Sequence, residues 1–161
     1  MLPLLKDTSA WVTTMLDFYG LPDNFPGVSK ASSGHGSARS RVQAVEAAVS
    51  EALERPPHFI PFVILHEFET WYFADPSKVA DYFGKIDVRE AMERVNREAD
   101  GPENINHGKE THPSKRLERY GMRFQKTSAV TVLKDIGLDA IRKTCHLNAW
   151  LTRLEKLETF A

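Results

Sequence analysis

The apolar positions in the first half of the chain come in two dense runs. Val12 to Leu16 is a stretch of strand formers that ends in Asp17 and breaks at Gly20 and Pro22. Phe59 to Leu65 is nearly continuous in apolar residues, as in a strand covered on both faces within a parallel sheet, and it runs into Glu67, Glu69 and Asp75. Between them, LPDNFPGVSKASSGHGSARS carries the Gly, Pro, Ser and Asn of a loop longer than the usual connection. From about Ser40 the period changes. Val42, Val45, Val49 and Leu53 recur at helical spacing until Pro56-Pro57 stops them.

The second half reads as helices. Asp75-Pro76 is a cap followed by proline at the first helical position, opening SKVADYF. Asp87 with Glu90 has the spacing of a capping box, and Val88, Met92, Val95 and Ala99 follow as an apolar stripe. An irregular segment, DGPENINHGKET, leads to Pro113, which opens a short helix, SKRLERY. Val130, Leu133 and Ile136 mark another helix that Gly137 stops. Asp139 is expected to cap the next, and Asn148 the last, with Trp150, Leu151, Leu154 and Leu157 inward. Two parallel strands do not make a stable open sheet by themselves. The pattern therefore predicts a single doubly wound α/β domain over 1–161 with part of its sheet missing. Residues 1–75 are its sheet-forming half and 76–161 its helical half.

The 161 residues suit one domain, and 21 basic against 22 acidic residues leave a net charge of -1. No global field announces a nucleic-acid or membrane surface, although a local basic face stays open. No apolar run approaches the roughly 20 residues of a membrane span, and the first residues lack the pattern of a signal peptide. Cys145 is the single cysteine, so an intrachain disulfide is excluded. It reads as a core thiol in a reducing compartment, with the cytoplasm as the expected location.

Candidate chemistry gathers where the strands end. In open α/β sheets ligands bind beyond the carboxyl ends of the strands. Asp17, Glu67 and Glu69 lie at such ends, and oxygen ligands of this kind suit Mg²⁺ or Mn²⁺. Glu67 and Glu69 face one side only if the chain stays extended; in a helix they diverge. The alternative for each is a solvated, capping or paired carboxylate, and Asp75 is read as a cap. In ETHPSKRL, Ser114, Lys115 and Arg116 occupy a first helical turn where cations oppose the helix dipole. An anion held there would offset that cost, which makes these three a candidate phosphate clamp; the alternative is a solvated face or an ion pair to Glu110 or Glu118. His107, Glu110 and His112 lack the partners of a zinc site. His66-Glu67 fails as H-E-x-x-H because residue 70 is Thr. His35 reads as a surface residue. Lys30, Arg39 and Arg41 form either a basic lid or a solvated loop, and Trp71-Tyr72-Phe73 reads as core rather than a stacking platform.

The phrases TTMLDFYGLPDNFPG, HFIPFVILHEFE, FADP, PENIN, ETHPSKRL and IGLDAIRKTCHLNAWLTRLE, in that order and over nearly the whole chain, resemble bacterial domain-of-unknown-function family 4276. The resemblance implies a relative of the Toprim (Rossmann-like) fold, the metal-binding α/β module of topoisomerases and primases. It also implies a neighbouring ATPase of the ABC/AAA type and a role in defence against phage. Two departures stand out. Family members start with an extra strand and helix bearing E-G-x-T-E, and nothing of the kind precedes Met1, so an N-terminally truncated sheet lacking one catalytic acid is expected. The D-x-D of Toprim enzymes reads Asp17-Phe18-Tyr19 here.

The leading expectation is a Mg²⁺- or Mn²⁺-dependent phosphodiester-cleaving domain, impaired in this form. Asp17, Glu67 and Glu69 would hold metal, and Ser114, Lys115 and Arg116 would hold phosphate of a nucleic acid. The runner-up is a non-catalytic subunit that docks on the ATPase through its helical half. Self-association through an uncovered sheet edge is a third.

Overall fold

The computed structural model describes residues 3–33, 36–105, 111–122 and 126–157, the side chains of 126–128 excepted. His35, His107 and Glu110, raised above, lie outside the described residues. The chain is mixed α/β. It divides into two compact units: one runs to Leu65 and takes in the chain from Thr152 onward, and the other is His66–Leu151.

In the first unit, β1 (Val12–Thr13) pairs in parallel with β3 (Phe59–Ile60), and β2 (Leu16–Asp17) with β4 (Val63–Ile64). Val12 lies opposite Phe59 and Leu16 opposite Val63, so both pairs share one register and each expected strand is present, interrupted in its middle. The interruption falls at Pro61, whose ring fixes φ short of the strand value. There a side chain completes the ladder. The Thr14 hydroxyl accepts from Phe62 N–H at 2.9 Å and lies 3.1 Å from the Phe62 carbonyl. Replacing Thr14 with valine keeps the shape but leaves a buried N–H unmatched, so a loss of about 1–3 kcal/mol is expected in urea denaturation, with Thr14→Ser close to wild type. Equal midpoints for the valine and serine variants would contradict this role.

The connection between the strands carries α1 (Val28–Ser33) and α2 (Ala38–Ala52), the latter capped by Ser37, whose side chain accepts from Ser40 N–H. Val42, Val45 and Val49 of α2 are buried with Val28, Ala31, Phe59, Val63 and Leu65 in one core. Glu46 of α2 reaches the outer side of β4, where its carboxylate accepts from Val63 N–H at 2.9 Å. Val63 thus has a partner on an edge that no further strand covers among the described residues.

The second unit is built from helices. Its first segment, Phe68–Ala74, is 3₁₀, and it buries Trp71, Tyr72 and Phe73 as core. Asp75 then caps α3 (Pro76–Phe83), accepting from Ser77 and Lys78 N–H as its sequence predicts. Gly84, at φ 63°, closes that helix and leads to α4 (Ile86–Ala99), whose Val88, Met92 and Val95 face inward. The capping box at Asp87 does not form: α4 starts two residues earlier than a cap at Asp87 requires, after Lys85, which places Asp87 inside the first turn. There follow α5 (Pro113–Arg119), α6 (Lys126–Ile136), α7 (Leu138–Ile141) and α8 (Cys145–Glu155).

Four further expectations are corrected here. On α6 the inward residues are Val132 and Ile136, one turn apart, and Val130 is 65% exposed because 200° of rotation separates it from Val132. Gly137, not Asp139, stands at the start of α7. Asn148 lies within α8, which begins at Cys145, and that cysteine is exposed rather than core because His146 and Leu147 take the inward positions.

Candidate functional site

The chain leaves β4 through Leu65 and turns at His66, whose backbone is left-handed at φ 65°. Such a conformation costs a non-glycine residue about 1–2 kcal/mol, and surrounding contacts must hold it. One of them is the buried imidazole: Nε2 lies 3.0 Å from the Glu103 carbonyl. A carbonyl only accepts, so Nε2 carries the proton. Glu67 follows in extended conformation and Phe68 begins the 3₁₀ segment, so Glu67 and Glu69 do not share a face. Glu69 instead stands one 3₁₀ turn before Tyr72. Burial first, and then the Glu69 charge, push the Tyr72 phenol above its ordinary value.

Glu67 is directed at α5. Its Oε2 accepts from Ser114 N–H at 3.0 Å and lies 3.0 Å from His112 Nδ1, while Oε1 accepts from the Ser114 hydroxyl at 3.2 Å. The start of α5 thus has an anion, as its dipole and orphan N–H groups require, and the anion is a side chain of the same chain. Both candidate groups read from the sequence, the acid at the strand exit and the clamp at Ser114, meet here as partners. Lys115 pairs instead with Glu118 at 2.8 Å, and Arg116 Nε donates to the Thr111 carbonyl at 2.6 Å.

Carboxylate, imidazole and hydroxyl within hydrogen-bond distance invite comparison with a hydrolytic triad. A triad needs the two ring nitrogens in different roles, one toward the acid and one toward the hydroxyl. Here Ser114 Oγ lies 3.1 Å from Nδ1, the nitrogen that also meets Glu67. A carboxylate accepts, so Nδ1 is protonated and leaves the hydroxyl no base in this arrangement. The cluster is a cap.

The pattern repeats at α8. The Glu103 carboxylate accepts from His146 N–H at 2.9 and 3.0 Å and from Leu147 N–H at 3.3 Å, the second and third positions of that helix. Thr144, the local candidate for this role, points its hydroxyl at the Ile141 carbonyl instead. Through Glu103, His66 at the entry of the second unit is tied to the same helix start. His112 and Glu103 were not singled out as partners of these helices in the sequence. The available signal was weak: an acid following Gly-Pro in PENIN, and a histidine preceding Pro113.

Mg²⁺ or Mn²⁺ would require oxygens open to a cation. Glu67 has N–H and O–H groups directed at both of its oxygens, an environment that suits an anion, and it does not fit as a ligand in this arrangement. Asp17 ends β2 half-buried within the first unit, opposite Ile64. Among the described residues no group of three or more His, Cys, Asp or Glu side chains is placed to hold a metal ion, and no helix is long and apolar enough to cross a membrane.

A family model described as "Domain of unknown function (DUF4276)" matches residues 1–155. No curated protein and no solved structure matches the chain.

Proposed function

Because the chain belongs to the domain-of-unknown-function family 4276, whose description carries no activity, we propose from its geometry that it is a non-catalytic binding subunit with structural acids. The observation that carries this reading is the Glu67 carboxylate, engaged by Ser114 and His112 at the start of α5. The same use of Glu103 at α8, Asp75 at α3 and Glu46 at β4 supports it. The helical unit supplies the docking surface: Ile86, Val130 and Leu138 are 79%, 65% and 52% exposed on its helices. The sequence resemblance implies that the partner is an ATPase of the ABC/AAA type.

The second reading is a Toprim-like domain that cleaves phosphodiester bonds with Mg²⁺ or Mn²⁺, with a role in phage defence. One observation favours it: Asp17 sits at the carboxyl end of a parallel strand pair, where α/β folds place ligands. The two readings separate in one experiment. Mn²⁺ binding to the wild type and to Asp17→Ala/Glu67→Ala is expected to be equally weak, and supercoiled DNA to remain intact in Mn²⁺. Stoichiometric Mn²⁺ binding that the double variant abolishes would replace the binding-subunit reading with the nuclease one.

A further inference from the structure

From Asn24 to Val45 the chain contains no acid and three cations, Lys30, Arg39 and Arg41. The fold of the first unit draws them to one rim. A Cβ built on Gly27 would lie 2.8 Å from Ala48 Cβ and 3.1 Å from Val45 Cα, so α1 starts against the middle of α2. It then runs back toward the beginning of α2, with Val28 and Ala31 in the core and Lys30 exposed beside the first turns. In turn α2 is the crossover from β2 to the parallel strands β3 and β4 and so runs back against them, Glu46 meeting Val63 on the way. Its start, with Arg39 and Arg41, therefore stands at the carboxyl ends of β2 and β4.

Like Lys78, Arg94 and Lys134, these cations carry no ion pair among the described residues; what sets them apart is a run of the chain without an acid. Arg55, Arg89 and Lys115 each pair with an acid three or four residues away. Among the described residues no carboxylate lies within ion-pair distance of Lys30, Arg39 or Arg41. Arg41 Nε is buried with no hydrogen-bond partner. Ser37 already caps α2, so the surface rests on side-chain charge and not on the helix end. The other exposed residues from α1 to the first turns of α2 are Ser29, Ser32, Ser33, Gly36, Ser37, Ser40, Gln43 and Ala44, with no large apolar side chain among them, and the exposed ring of Tyr19 follows β2 at the same end. A membrane or protein partner calls for apolar anchors. Cations interleaved with hydroxyls suit phosphate and sugar, whose contacts come from Arg, Lys and Ser.

We propose that Lys30, Arg39 and Arg41, gathered at the carboxyl-end rim of the first unit, form a binding surface for the phosphate backbone of a nucleic acid. The surface belongs to the chain alone and is independent of partner docking and of cleavage.

Anisotropy of a labelled duplex DNA, titrated with the full chain in EDTA across a salt series, tests it. Lys30→Gln/Arg39→Gln/Arg41→Gln is expected to weaken binding at low salt by at least about tenfold, and to flatten the slope of log K against log salt by about 2–3. Lys30→Gln/Arg39→Gln, which changes only exposed residues, is expected to flatten it by about 2. A control with the same charge change elsewhere, Lys78→Gln/Arg94→Gln/Lys134→Gln, should leave the slope within about 1 of wild type. Absence of saturable binding by the wild type would overturn the proposal. So would equal losses in the control and rim triples, or anionic vesicles competing as strongly as nucleic acid.

Discussion

Gly27→Ala is expected to destabilise the protein by about 2–6 kcal/mol, with the loss centred on the α1–α2 hairpin. Two independent effects combine at this residue. Its φ of 82° lies in the left-handed region, where a Cβ adds about 1–3 kcal/mol of strain. The same Cβ would stand 2.8 Å from Ala48 Cβ and 3.1 Å from backbone Val45 Cα, and neither neighbour has a flexible end that can move aside. Forcing an extra carbon into so close a contact costs about 1–3 kcal/mol more. Urea denaturation measures the total, and hydrogen exchange locates it: amides of α1 and α2 should lose protection while those of α4 keep theirs. An unchanged midpoint would mean that α1 does not approach α2 this closely, and the rim formed by Lys30 and Arg41 would then lack its scaffold.

The second large effect belongs to Glu67. Its carboxylate is 16% exposed and answers three donors: the backbone N–H and hydroxyl of Ser114, and His112 Nδ1. Hydrogen bonds to a charged group contribute about 1.5–3 kcal/mol, and donors left facing a void add to the loss. Glu67→Ala is therefore expected to cost about 2–4 kcal/mol. Glu67→Gln should cost less than about 1 kcal/mol. An amide oxygen can take the place of Oε2, and the Ser114 hydroxyl can reverse to accept from the amide nitrogen. This contrast separates the cap from a metal ligand, because an amide is a poor substitute for a carboxylate on Mg²⁺ or Mn²⁺. Equal destabilisation by alanine and glutamine would mean that charge, rather than donor matching, holds α5 in place.

Caps and stripes set by near neighbours were legible one by one. Asp75 caps α3 because Asp-Pro specifies both the acceptor and the first helical φ within three residues. Val42, Val45 and Val49 mark the inward face of α2 because a helix repeats every 3.6 residues whatever it packs against. Asp87 and Asn148 misled for a related reason. Their local spacing fits a cap, but α4 starts after Lys85 and α8 at Cys145, so the side chains fall within the helices.

The sequence by itself determined the two strands, the crossover helix between them, the helical second half and membership of family 4276, since each depends on periodicity or on motifs read within short windows. Only the tertiary structure decided what the acids do. Glu67 meets His112 from 45 residues away and Glu103 meets His146 from 43, and no local pattern encodes a pairing at that distance. The physical cause is the demand of a helix start for an acceptor. Where the adjacent residue does not supply one, the fold brings a carboxylate from another segment, and an acid that resembles a metal ligand becomes a structural anion.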